Sequence, residues 1–235
     1  MIVQFPSLKK VLVIFLFVIG RGSPPVTGAI TADVTDGRSL AGKVLDDFVE
    51  YDYRVHAVIQ VENWTRYPMI NPVVRLGGGV ITSLPYNILP GKREAFAARK
   101  SHFTPTGSYG IVAWELAGTD RLFVLMWCEP YAFNLYSNWM GLGMTKKGHM
   151  EIPPEARWFD QMYYGKSDTN FTFSRRKFTD DSMDPVAFRD DKEFQIMGVM
   201  SPNHHAQIKV TFLPVKSNYD NLAPQLRDLL KEGSK

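Results

Sequence analysis

Val55-His56-Ala57-Val58-Ile59-Gln60-Val61-Glu62 sets apolar Val55, Ala57, Ile59 and Val61 against polar His56, Gln60 and Glu62. A period of two is the mark of a strand with one face on a core. The same texture recurs along the chain. Further strands are expected at Ile70–Val74, Val80–Leu84, Arg93–Ala98, Gly107–Leu116, Arg121–Trp127, Asn138–Met144, Phe171–Arg176, Phe194–Met200 and Ala206–Leu213. Turn residues separate them: Gly77-Gly78-Gly79, Pro90-Gly91, Gly118-Thr119-Asp120, Lys147-Gly148 and Pro202-Asn203. About ten short strands at this spacing predict a mainly β protein, an antiparallel β-sandwich.

Two helices are expected beside it. Leu40, Val44, Leu45, Phe48 and Val49 share one face of a helix capped at Asp36 or Ser39 and running to about Tyr51. Lys43, Asp46, Asp47 and Glu50 fall on the other face. Such a helix either packs on the core or serves a surface of its own. The second runs from Glu155 to Tyr164, between Pro153-Pro154 and Gly165, with Phe159 and Tyr163 one turn apart.

The ends differ from the middle. Val11 to Ile19 is a run of nine apolar residues behind Lys9 and Lys10. It is too short to span a bilayer and has the layout of a secretory signal, so residues 1–22 are expected to be removed. Residues 23–28, with Pro24-Pro25, read as a linker or pro-segment, 29–213 as the domain, and 214–235 as a C-terminal extension, polar until Leu222 and then able to form a short amphipathic helix with Leu226, Leu229 and Leu230. Loss of the signal lowers the basic residues from 27 to 24, against 24 acidic ones. A neutral mature chain has no electrostatic basis for binding nucleic acid. The one cysteine, Cys128, allows no internal disulfide and suits a small buried apolar group. Asn63-Trp64-Thr65 and Asn170-Phe171-Thr172 are glycosylation sequons.

No Gly-x-Ser-x-Gly elbow, phosphate loop or calcium loop occurs. His204 and His205 are adjacent, so in a strand they point to opposite faces and cannot share a metal. No enzyme, cofactor or metal centre is expected. What the chain does carry is Cys128-Glu129-Pro130-Tyr131-Ala132-Phe133-Asn134-Leu135-Tyr136-Ser137-Asn138-Trp139, with four rings among polar residues. Rings with polar tips suit the boundary between water and lipid. They also suit a cage for a quaternary ammonium.

The string Pro130-Tyr131-Ala132-Phe133-Asn134-Leu135-Tyr136-Ser137-Asn138-Trp139 resembles the aromatic loop of actinoporins, the pore-forming toxins of sea anemones with secreted mollusc relatives. Gly37-Arg38-Ser39-Leu40, Thr106-Gly107-Ser108-Tyr109-Gly110, Met162-Tyr163-Tyr164 and Gly198-Val199-Met200-Ser201 resemble further family motifs in the same order. The resemblance implies a secreted protein that binds phosphocholine lipids, sphingomyelin among them. It would then self-assemble and insert its N-terminal helix as a cation-selective pore.

It implies a headgroup site near Pro130, Tyr136, Phe159, Tyr163, Tyr164, Leu76, Tyr109 and Cys128. It implies a membrane face with Tyr131, Phe133, Leu135, Trp139, Met140 and Arg75. The pore-forming helix would carry Ser39, Leu40, Val44, Leu45, Phe48 and Val49. A helix from Ser39 to Tyr51 is about 20 Å long, and extension back to Ala29 brings it to about 35 Å, enough for a hydrocarbon core of about 30 Å. Leu76 and Cys128 stand where the family has serines, Phe159 where it has Tyr, Tyr109 where it has Val, and Leu135 and Met140 where it has Trp. Another reading of the same sandwich is a non-lytic lectin that binds lipid or glycan.

Overall fold

The structure, a computed structural model, describes residues 34–180, 184–189 and 193–227. The expected signal segment and linker, and Ala29–Asp33, lie outside the described residues. Among the described residues twelve strands form two sheets. They are β1 (Thr35–Asp36), β2 (His56–Asn63), β3 (Met69–Gly78), β4 (Val80–Ser83), β5 (Lys92–Arg99), β6 (Ser108–Leu116), β7 (Arg121–Glu129), β8 (Asn138–Thr145), β9 (Phe171–Phe178), β10 (Val186–Arg189), β11 (Phe194–Met200) and β12 (His205–Pro214). One sheet has the order β1-β5-β2-β12-β11-β10, with β4 also on β5; the other has β3-β6-β7-β8-β9. Most pairs are antiparallel, but β12 runs parallel to β2 and β1 parallel to β5. The sandwich expectation holds, with β1 and β10 added.

Alternation on β2 directs Ala57, Ile59 and Val61 into the core between the sheets. Phe96, Trp114, Phe123, Trp127 and Phe212 fill that core. Its indoles are not left unpaired: Trp114 Nε1 donates to Tyr86 O at 2.9 Å and Trp127 Nε1 to Ser108 Oγ at 3.2 Å. The chain passes from one sheet to the other at Gly79, where φ is +93° and a Cβ would sit 2.4 Å from Arg99 O. Only glycine fits there without strain.

β7 is buried along all nine residues. Its even positions, Leu122, Val124, Met126 and Cys128, face away from the inter-sheet core and form a second apolar layer. That layer is covered by helix α1 (Arg157–Tyr164), through Trp158, Phe159 and Met162. The helix ends at Gly165, as the sequence predicts, though Gly165 is in an extended rather than a left-handed conformation.

The segment expected as a helix from Ser39 to Tyr51 is different. In this fold its described residues make turns and one short 3-10 helix, Leu45–Phe48. The reason is tertiary. Glu94 accepts from Arg38 N and Ser39 N, each at 2.7 Å, and from Ser39 Oγ. Ser39 Oγ in turn accepts from Ala95 N on the free edge of β5. Leu40 is buried there, and Gly42 turns the chain with φ +70°. A serine committed to a strand edge cannot cap a helix, so the amphipathic stripe is broken up: Leu40 is inside and Val44 outside.

Beyond that edge the segment crosses the outer face of the same sheet. Gln207 Nε2 donates to Asp46 at 2.7 Å, Arg99 pairs with Glu50 at 2.8 Å, and the Tyr51 ring meets His205 edge-on. So His56, Gln60 and Glu62, the polar half of the β2 alternation, are buried as well.

Residues 222–226 dock as well. Leu222, Ala223 and Leu226 pack with Val34, Trp64 and Leu213, and Ala223 N donates to Trp64 O at 2.9 Å. Next to this patch Asn63 is fully buried and uses its whole amide. Its Nδ2 donates to Tyr67 O and Ile88 O, and its Oδ1 accepts from Thr65 N and Thr65 Oγ1. Asn63→Ala should therefore cost on the order of 3 kcal/mol in a urea unfolding series, because three partner residues on two segments lose their bonds together. Peptide mapping of secreted protein should find Asn63 without a glycan; a glycan there contradicts the burial.

Candidate functional site

The starts of β2, β6, β8 and β12 and the ends of β5, β7, β9 and β11 meet at one end of the sandwich, by the pairing registers. The loop between β7 and β8 closes that end. The second apolar layer reaches it and stops in a cluster of rings. Tyr109 on β6 lies 5.0 Å from Phe159. Phe159 stacks on Tyr163 at 5.4 Å, and Tyr163 meets Tyr164 at 4.7 Å and Trp139 at 5.8 Å, edge to face in both cases. Arg175 lies over the Trp139 ring at 6.0 Å.

Phe159 is the buried floor, while Tyr164 is 76% exposed, Tyr136 58% and Leu135 72%. Burial first, then the neighbouring Cys128, Tyr164 and Tyr136, push the Tyr163 phenol above its usual value. Cys128 is buried against this group. Burial and the adjacent Glu129 push its thiol up to about 12, so it stays protonated and acts as a small apolar group.

The structure thus brings together Tyr109, Cys128, Tyr136, Trp139, Phe159, Tyr163 and Tyr164 from three parts of the chain. Pro130 is buried at the exit of β7, next to them. Leu76 is not among them. It packs against the core between the sheets, one residue out of phase with Tyr109. Arg75 is half-buried on β3 and bonds to Val74 O.

Met140 corrects the sequence expectation. It is fully buried in the inter-sheet core, where its methyl approaches Gly198, because alternation on β8 sends residue 139 outward and residue 140 inward. Tyr131 and Phe133 turn to the far side of the loop. Phe133 stacks on His204 at 3.8 Å, and His204 Nε2 lies 3.0 Å from Tyr131 O. The two histidines do diverge: His205 Nε2 bonds to Tyr53 O at 2.9 Å. Ser39, Leu40, Val44, Leu45, Phe48 and Val49 lie in the strap on the other sheet, not in the ring cluster.

Two buried ionisable groups under the loop escaped sequence reasoning. Glu129 is fully buried at the end of β7. Its Oε1 accepts from Ala206 N at 3.3 Å and its Oε2 has no partner. Burial pushes its carboxyl well above the usual carboxylate range. His56 lies buried beneath the strap with neither ring nitrogen bonded. Burial lowers it to about 4; Glu50 opposes that shift, and His205 and Arg99 add to it.

The signs are opposite. His56 supports the fold fully above its ordinary 6.5, and that support is lost as pH falls from 6.5 to about 4. Glu129 supports it below 4.5 and costs stability as pH rises above that. Unfolding free energies measured across pH should show wild type losing to His56→Gln on acidification from 6.5 to about 4, by up to roughly 3 kcal/mol. Wild type should gain on Glu129→Gln as pH falls toward 4.5. Curves that run parallel to wild type would refute the buried neutral state of either group.

The model of the family described as "Sea anemone cytotoxic protein" matches residues 25–211. Among curated relatives, Conoporin-Cn1 of Conus consors is 41% identical over 243 residues, covering 99% of this chain and 96% of its own. Tereporin-Ca1 of Terebra anilis is 47% identical over 192 residues, covering 80% of this chain and all of its own. Among solved structures, the lipid binding protein Nakanori superposes with a TM-score of 0.51 at 13% identity, over 67% of this chain and 70% of its own. At that identity the likeness is one of fold.

Proposed function

The chain belongs to the actinoporin family of sea anemone cytotoxic proteins, and from that premise we propose that it is a secreted pore-forming cytolysin that binds phosphocholine lipids, self-assembles and inserts its N-terminal segment. The observation that carries this is the ring cluster at the loop end. Phe159 floors it with Tyr163 stacked on it, Trp139 and Tyr164 meet Tyr163 edge to face, and Tyr164 and Tyr136 are exposed beside it. Ring faces attract a quaternary ammonium by roughly 0.5–2 kcal/mol each. The exposed Tyr136 and Tyr164 hydroxyls can donate to the phosphate that accompanies a choline. Leu135, exposed at the tip of the loop, would enter the bilayer beside them.

No helix among the described residues is long and apolar enough to cross a membrane. The proposal therefore requires the strap to leave the sheet and become helical. Its holds are mostly polar: Ser39 and Arg38 on Glu94, Asp36 on Arg93, Asp46 on Gln207, Glu50 on Arg99, and β1 on β5, with Leu40 its one buried apolar side chain. Such contacts are weak individually and are released together. Once helical from Ala29 to Tyr51, the segment would turn Asp36, Asp46, Asp47 and Glu50 toward a lumen, which favours cations.

Two variants test the two steps separately by dye release from phosphatidylcholine vesicles with and without sphingomyelin. Tyr163→Ala should weaken vesicle binding about 2- to 30-fold, the value of one ring on a choline. Thr35→Cys with Lys92→Cys places a disulfide between neighbouring strands. Oxidised, it should bind vesicles as wild type does yet release no dye, and a reductant should restore release. Unchanged binding of Tyr163→Ala removes the headgroup site from the ring cluster. Full leakage by the oxidised lock removes the strap from the mechanism, and binding without leakage by wild type leaves a lectin-like protein.

A further inference from the structure

On the other side of the loop from the ring cluster lies an open cleft of about 690 Å³. Tyr53, Arg54, Lys100, His102, Phe103 and Tyr131 line it. The Arg54 guanidinium is exposed and lies 4.7 Å over the Tyr131 ring, with the Lys100 ammonium 5.8 Å from the same ring. Tyr131 thus has two cations close to its ring, the exposed Arg54 and the buried Lys100. Lys100 spends one N–H on Ser101 O at 2.8 Å, which leaves two. His102 Nδ1 is held at 3.1 Å by Tyr53 Oη, so its other ring nitrogen is fixed in direction. One carboxylate, Asp52, is also on the rim.

The apolar partner of this cleft is Phe103. It is 93% exposed and sits in a left-handed conformation, φ +55°. An apolar ring held in water on a strained backbone is a costly arrangement in a soluble molecule. It is favourable if the ring enters a bilayer beside a headgroup. A guanidinium fork, an ammonium and an imidazole N–H together match a terminal phosphate, which presents three oxygens, better than a diester or a carboxylate.

We propose that the cleft between Arg54, Lys100 and His102 binds the terminal phosphate of an anionic lipid, with Phe103 entering the acyl region next to it. The site rests on the reading of this end as the membrane face, and it is separate from the ring cluster that would take choline. It also lies on Tyr53 and Arg54, the residues through which the strap joins β2. A lipid bound there grips the hinge of the segment that must leave.

The test compares vesicles of phosphatidylcholine alone with vesicles in which about one fifth is phosphatidic acid or, at matched surface charge, phosphatidylglycerol. Binding of wild type should rise with phosphatidic acid and rise less with phosphatidylglycerol. Arg54→Gln with His102→Gln changes two exposed residues and should lose on the order of tenfold of that rise while binding pure phosphatidylcholine as before. Lys147→Gln, at the opposite end, should keep the rise. Tyr163→Ala should weaken the phosphatidylcholine binding and keep the rise, so the two sites fail independently.

The imidazole NMR signals of His102 should also shift on addition of inorganic phosphate. An equal rise in the double variant and wild type, or an equal rise with both anionic lipids, overturns the proposal. A His102 shift with phosphate but no rise on vesicles overturns the lipid assignment in favour of a soluble phosphate.

Discussion

A sheet that is apolar on both faces has to be covered twice, and most of this molecule follows from that requirement on β6, β7 and β8. The inner face is covered by the second sheet, through Trp114, Phe123, Trp127 and their neighbours. The outer face needs a separate cover, and α1 supplies it with Trp158, Phe159 and Met162. Burial of this kind stabilises at roughly 25 cal/mol per Å² of apolar surface, more than any polar contact in the fold. The ring cluster is where that outer layer runs out. At the loop end Phe159 and Cys128 are still core, while Tyr163, Tyr136 and Tyr164 are progressively wetter. The candidate headgroup site is thus the open end of a hydrophobic core, with its rings already oriented by packing.

The seven-stranded sheet is covered differently, and the difference bears on function. Its outer face carries His56, Gln60, Glu62, Arg93, Arg99 and Lys209, a polar set that would normally face water. The strap from Thr35 to Tyr53 lies along its edge and over that face, held mainly by charges and hydrogen bonds, with Leu40 its one buried apolar side chain. Covering His56 leaves both of its nitrogens without partners, a cost borne by the folded state. A cover fixed by polar bonds over a polar face can leave without exposing a core. The opposite sheet could not release α1 on those terms. The two sheets therefore suit opposite roles: one fixes the rings, and the other stores the segment.

Much of this was legible in the sequence. The period of two marked the strands because one face of each had to be dry, and Gly165 marked the end of α1. The string from Pro130 to Trp139 declared itself because four rings among polar residues suit neither a buried strand nor an ordinary loop. Other features were not legible. Met140 reads as part of the aromatic string, yet alternation turns it into the core. Leu76 sits beside Arg75 in sequence and a full sheet thickness away from Tyr109 in space. β1 has two residues and β10 four, too short for any periodicity to register. Arg54 is nearly fifty residues from Lys100 and His102, and the three carry no motif.

What the sequence by itself determined was the alternation, the turns, the amphipathic stripe and the family, because these depend on neighbours one to four residues apart. What only the tertiary structure decided was the partner of each face. Ser39 has the residue type of a helix cap and became the cap of a strand edge, because Glu94 and Ala95 of β5 offered it three bonds where a helix would have offered one. The stripe that predicts a helix is real, but in this fold its residues are divided between core and solvent. Local pattern sets what a segment is able to form, and long-range contacts choose which of those forms is occupied.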